Sequence, residues 1–200
     1  METTRLIIVA VGGQGNLLAS KVLGEAALIS GVPVRMSEIH GMAQRGGVVE
    51  SAIVFGDAES SIISDNEADI LLGFEPAETL RAINRCNKNT IVITNTATLP
   101  PFTVSIGKGA YPPIDTIKTL LQEKCKSLVA IDAMKIAREA GTPMSVNIVL
   151  LGALVQSGRL GFTKENVIEA INRRTKKDFL PMNIKAFEMG FEAAKKYKEK

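Results

Sequence analysis

The 200-residue sequence predicts an α/β fold of Rossmann-like, three-layer type, with a mostly parallel, mixed sheet and a helical C-terminal appendage. Three observations carry that prediction. Apolar, β-branched runs alternate with helical segments through roughly the first 145 residues. The first of those runs ends in the glycine turn Gly12-Gly13-Gln14-Gly15 and passes straight into a helix. After residue 145 the pattern is helical only. A single domain over residues 1–200 is expected, with an α/β core over about 1–145 and a helical part over about 146–200.

Leu6–Val11 is a continuous β-branched run of the kind buried on both faces of a parallel sheet. Asn16–Ser30 follows as an Ala- and Leu-rich helix stopped by Gly31. Val32–Ser37 completes a βαβ unit. Residues 39–47 form a glycine-rich loop, and Val48–Phe55 is a strand reached without an intervening helix. So short a link predicts an antiparallel strand and hence a mixed sheet. Ala68–Phe74 is the next strand. Glu75-Pro76-Ala77-Glu78 opens a helix with proline in its first turn and acids at the positive end of the dipole. Thr90–Asn95 is a buried strand. Residues 99–113 are proline-rich around a short edge strand at 102–106. A helix near 114–125, a strand at Ser127–Ile131 and a helix over 132–140 complete the alternation. Val146–Gln156 is apolar on all sides and so predicts a buried helix. Thr163 caps the next helix, and a long amphipathic helix begins at Phe179.

Composition narrows the functional classes. A net charge of +3 is too small to argue for nucleic acid. Positive charge gathers from Arg159 onward, with eleven Lys/Arg against six Asp/Glu. That region reads as a solvated helix face or a docking surface for an acidic partner. Cys86 and Cys125 stand 39 residues apart with no second ligand nearby, so no iron–sulfur cluster or structural zinc is expected in this chain. Buried free thiols in a reducing compartment fit that spacing. The sequence shows neither a signal peptide nor an apolar run long enough for a membrane span, and a cytoplasmic location is expected.

Two segments carry the chemistry. The turn Gly12-Gly13-Gln14-Gly15 resembles the start of a dinucleotide fingerprint, in which glycines admit phosphate to the backbone N–H groups at a helix N-terminus. Laying that fingerprint on Gly13 and Gly15 places Leu18 where a small residue belongs, while Glu38 supplies the acid expected after the second strand. Two readings stay open: a site for a phosphate-bearing group, and a turn that simply needs positive φ. The second segment, Ser37–Gly47, holds the only histidine, His40, with Gly41, Gln44, Arg45, Gly46 and Gly47, at the sheet edge where open α/β folds bind ligands. Gln44 and Arg45 offer donors to carboxylate or phosphate, and His40 is of the residue type that can transfer protons. With no Ser or Cys nucleophile beside His40, the segment reads as a binding or interface loop. No catalytic residue and no metal ligand is assigned.

The strings Gly12–Gly15 with Leu17-Leu18-Ala19-Ser20, Ser37-Glu-Ile-His-Gly-Met-Ala-Gln-Arg-Gly-Gly47 and Ala68-Asp-Ile-Leu-Leu-Gly-Phe-Glu-Pro76 resemble the gamma-type subunit of the 2-oxoacid:ferredoxin oxidoreductases. The likeness runs on through Asn95-Thr96 and the helical region, and the His40–Gly47 string is similar to the indolepyruvate branch. It implies oxidative decarboxylation of an aryl 2-oxoacid, with coenzyme A as acyl acceptor and ferredoxin as electron acceptor. Thiamine diphosphate, magnesium and iron–sulfur clusters would then belong to a large alpha subunit as partner. Gly12–Gly15, Glu38, His40, Gly41 and Gln44–Gly47 would lie at the interface or cofactor edge, and coenzyme A is a co-substrate that the small subunit could contact. Other 2-oxoacids (pyruvate, 2-oxoglutarate, branched-chain) remain alternatives. So do a stand-alone nucleotide-binding module and a purely structural subunit.

Overall fold

The computed structural model describes residues 3–40, 47–100, 104, 106–107 and 109–197, with His40 described for its backbone alone. Six strands form one sheet: β1 (Thr4–Val11), β2 (Val34–His40), β3 (Val48–Phe55), β4 (Ala68–Gly73), β5 (Cys86–Asn95) and β6 (Ser127–Ile131), in the order β2-β3-β1-β4-β5-β6. β3 pairs antiparallel with both β1 and β2, while β1, β4, β5 and β6 pair in parallel. The mixed sheet follows from that one inserted strand. β2 runs in the same direction as β1, so the ends of β1, β2, β4, β5 and β6 all meet at one edge.

Seven α-helices accompany the sheet among the described residues: α1 (Asn16–Ile29), α2 (Pro76–Arg81), α3 (Ile114–Lys124), α4 (Ala133–Ala140), α5 (Val146–Gln156), α6 (Lys164–Arg174) and α7 (Leu180–Ala194). Strand alternation divides the core. Leu6, Ile8 and Ala10 of β1 face a layer of α1, α4, α5, α6 and α7. Ile7 and Val9 face a second cluster with Ile117, Leu121, Ala82 and Cys86, on the side of α2 and α3. The C-terminal helices therefore share one core with the sheet. Gly152 of α5 meets α7 so closely that a Cβ there would sit 2.1 Å from the Phe187 carbonyl oxygen.

Several boundaries differ from the sequence reading. β2 runs from Val34 to His40 instead of ending at Ser37, because β3 pairs with it as far as His40 opposite Val49. Residues 39 and 40 are thus strand where a loop was expected. Pro33 is spent in the approach, its carbonyl accepting from the N–H of Gly56 at 2.8 Å. β5 begins at Cys86 instead of Thr90, with Cys86 in register with Ala68. The expected edge strand at 102–106 falls largely outside the described residues. Thr163 makes a full capping box with Asn166, and Tyr197 closes the β6 edge by donating to the Ala130 carbonyl at 2.7 Å. No helix among the described residues is long and apolar enough to cross a membrane.

Candidate functional site

At the shared strand-end edge lies a cleft of about 990 Å³. Its floor is the glycine turn, Gly13 to Gly15, at the N-terminus of α1. One wall is Ala97–Leu99 after β5, and the other is α4 with Lys135 and Arg138. Leu18, Met134, Pro143, Met144 and Val146 make much of the lining apolar. Met144 stands 77% exposed at the rim.

The turn is built for close backbone approach. Gly15 precedes α1 at φ 83°, a left-handed conformation that side chains disfavour, and no side chain caps the helix. A Cβ on Gly15 would lie 2.5 Å from the Asn147 amide nitrogen. Asn147 donates through that nitrogen to the Gly15 carbonyl at 3.2 Å, so the start of α5 is docked on the turn. Gln14 turns back on the fold. Its Oε1 accepts from the Val11 N–H at 2.8 Å, and its Nε2 donates to the Phe74 carbonyl at 3.3 Å. Asn95 donates to the same carbonyl at 3.2 Å and accepts from the N–H groups of Ala97 and Ala133 at 3.1 and 3.0 Å. Two side-chain amides thus tie together the ends of β1, β4, β5 and β6.

Glu75 lies behind this edge with 1% exposure. It accepts from the N–H groups of Leu99 at 3.2 Å and Glu78 at 3.0 Å, and from the Tyr111 hydroxyl. Burial, and then the hydrogen bond to Glu75, push the Tyr111 hydroxyl well above its ordinary pKa, so it stays protonated as a donor.

The sequence-predicted residues separate into three groups. Gly13, Gln14 and Gly15 line the cleft. Gly12 joins Gly47 through a 2.8 Å hydrogen bond from its N–H to the Gly47 carbonyl, which extends the β1–β3 pairing by one step. Glu38 is on the outer strand, where its carboxylate accepts from the Ser20 hydroxyl at 3.0 Å, and His40 ends that strand. Neither belongs to the described lining of the cleft. Gly41, Gln44, Arg45 and Gly46 lie outside the described residues. Sequence reading missed Asn147, Lys135 and Arg138 as cleft residues. The only available signal was a pair of cations spaced i, i+3 on one helix face.

No group of three or more His, Cys, Asp or Glu that could hold a metal is assembled among the described residues. Burial pushes the Cys86 thiol up to about 12 and raises that of Cys125, whereas a cluster needs thiolates. This donor set does not fit an iron–sulfur cluster.

The pyruvate ferredoxin/flavodoxin oxidoreductase family model matches residues 5–193. Subunit IorB of the indolepyruvate oxidoreductase of Pyrococcus horikoshii is 41% identical over 197 residues, spanning 98% of each chain. The same-named subunit of Methanothermobacter thermautotrophicus is 40% identical over 189 residues, spanning 94% of this chain and 96% of that one. Among solved structures, the gamma subunit of a keto/oxoacid ferredoxin oxidoreductase from Geobacter sulfurreducens superposes with a TM-score of 0.71 at 25% identity, covering 96% of this chain and 99% of that one. A match of this extent, in sequence and in fold, places the chain in the pyruvate ferredoxin/flavodoxin oxidoreductase family.

Proposed function

We propose that this chain is the small subunit of an indolepyruvate:ferredoxin oxidoreductase and works only in complex with a large subunit carrying thiamine diphosphate and iron–sulfur clusters. The observation that carries this reading is the near-full-length identity of 41% to a relative named as an indolepyruvate oxidoreductase subunit. The chain's own donor set supports placing the clusters in the partner. Thiamine diphosphate bound there would supply the electron sink for decarboxylation.

Within that complex the chain's residues bind and orient. The role proposed for Gly12–Gly15, Glu38, His40, Gly41 and Gln44–Gly47 is contact with the partner's cofactor. Coenzyme A lies along the cleft, with phosphate near Lys135, Arg138 and the uncapped N–H groups at the start of α1. Leu18, Leu99, Met134 and Met144 cover its apolar portions. This division is supported by the joint lining of turn, cations and apolar side chains.

Co-expression with the large subunit tests the reading. The complex is expected to reduce ferredoxin with indolepyruvate only when coenzyme A is present, while the isolated chain shows no activity. Activity of the chain alone, or failure to pair with the large subunit, overturns it. A stand-alone NAD module would instead bind NAD(H) at micromolar concentration in calorimetry.

A further inference from the structure

Leu99 follows β5 and Tyr111 precedes α3. Both are held by one side chain. Oε1 of Glu75 accepts from the Leu99 N–H at 3.2 Å and from the Tyr111 hydroxyl, while Oε2 accepts from the Glu78 N–H at 3.0 Å. The Ala77 N–H in turn donates to the Tyr111 oxygen at 3.2 Å, which commits the phenol to donating towards Glu75. Three donors from three segments therefore converge on one group that can only accept. Glutamine keeps one acceptor, enough at the Oε1 position for both Leu99 and Tyr111, so the Leu99 bond is removed only by a side chain with no acceptor, such as alanine. Glu75 is 1% exposed, so water competes little for these bonds.

We propose that Glu75 is a positioning residue for the cleft, fixing the Ala97–Leu99 wall at the separation from α4 that a bound ligand requires. It reaches the ligand only through that wall. Leu99 lines the cleft, and Glu75 lies outside the described lining. Asn95 holds the near end of the wall at Ala97, so removing the Glu75 bond frees Leu99 without releasing β5.

The test uses Glu75→Ala in the co-expressed complex, with two readouts. Deuterium exchange at the Leu99 amide is expected to rise about tenfold, the scale of one lost charge-assisted hydrogen bond, while β1, β4 and α5 keep their protection. The KM for coenzyme A is expected to rise several-fold, with kcat and the KM for the 2-oxoacid unchanged. That second readout rests on coenzyme A occupying the cleft. Raised Leu99 exchange with an unmoved coenzyme A KM would remove coenzyme A from the cleft and leave the wall-positioning role standing. Unchanged Leu99 exchange, or a rise shared by the whole sheet, overturns the role itself. Tyr111→Phe guards against a variant that fails to fold. It is expected to raise exchange at the Ala77 amide and spare Leu99, and an unmoved Ala77 amide counts against the proposal.

Discussion

Gly15 combines two demands that no other residue type meets. Its φ of 83° suits glycine, and its missing side chain leaves room for the Asn147 amide 2.5 Å from where a Cβ would be. Gly13 shares the first demand at φ 99° but faces open space. Gly13→Ala is therefore expected to cost about 1–2 kcal/mol, from backbone strain alone. Gly15→Ala is expected to cost about 2–4 kcal/mol, since strain adds to displacement of a buried amide. Urea midpoints of the two variants separate the contributions, and equal losses would show that Asn147 yields freely. The turn itself was legible as glycines after a strand. Its second half was not, because Asn147 lies 132 positions away and is an unremarkable polar residue in an apolar helix. Gln14 was placed at the cofactor edge with the rest of the turn, and the fold uses its side chain to hold Val11 and Phe74.

At the scale of elements, α2 shows how a favourable local signal acquires a cost through burial. Pro76 and the acids beside it mark the helix start, and Glu75 does cap it. Glu78 is carried inward, where Oε2 has no hydrogen-bond partner among the described residues. Burial raises its pKa above 4.5, against the opposing pull of Arg81. A carboxyl raised in the folded state binds its proton more tightly there than in the unfolded chain. Its contribution is thus present below the unfolded pKa of 4.5 and lost as pH climbs through the folded value. Glu78→Gln is expected to raise the thermal midpoint at pH 7, with the advantage shrinking as pH falls towards 4.5, measured by melting curves across that range. A lower midpoint at pH 7 would assign the stability to the Arg81 ion pair instead. The differences in strand boundaries have similarly local causes. Asn87, Lys88 and Asn89 hid the first half of β5 behind polar side chains, and the pairing with β4 is itself irregular there: Cys86 stands opposite Ala68, and the register shifts before resuming at Ile91 opposite Ile70. β2 was too short in the sequence reading because Ile39, 62% exposed on an outer strand, gives no alternation signal.

For the molecule as a whole, the fold class and the mixed sheet were legible because the alternation of apolar runs and helices is strong and the link before β3 is short. The cleft was not legible. Its floor comes from the first fifteen residues, its walls from Ala97–Leu99 and α4, and its far corner from α5. The sequence division at residue 145 marks a change of secondary structure, but the core crosses it. Val149, Leu150, Val167 and Phe187 pack in the same cluster as Leu6 and Ile8. A chain truncated after Ser145 is therefore expected to lose cooperative unfolding and to bind a hydrophobic dye, checked by urea titration and fluorescence. A sharp transition in that fragment would show that the sheet stands without α5–α7.

The same docking of late helices on an early strand has a consequence during synthesis. At about 5–20 residues per second, β1 leaves the ribosome many seconds before Asn147 and the apolar turns of α5 follow it. Through that interval one face of the sheet has only α1 and then α4 to cover it, and the glycine turn lacks Asn147. A nascent chain caught then offers a chaperone an apolar surface and a partner subunit an unfinished one. Productive assembly must wait for the last quarter of the chain.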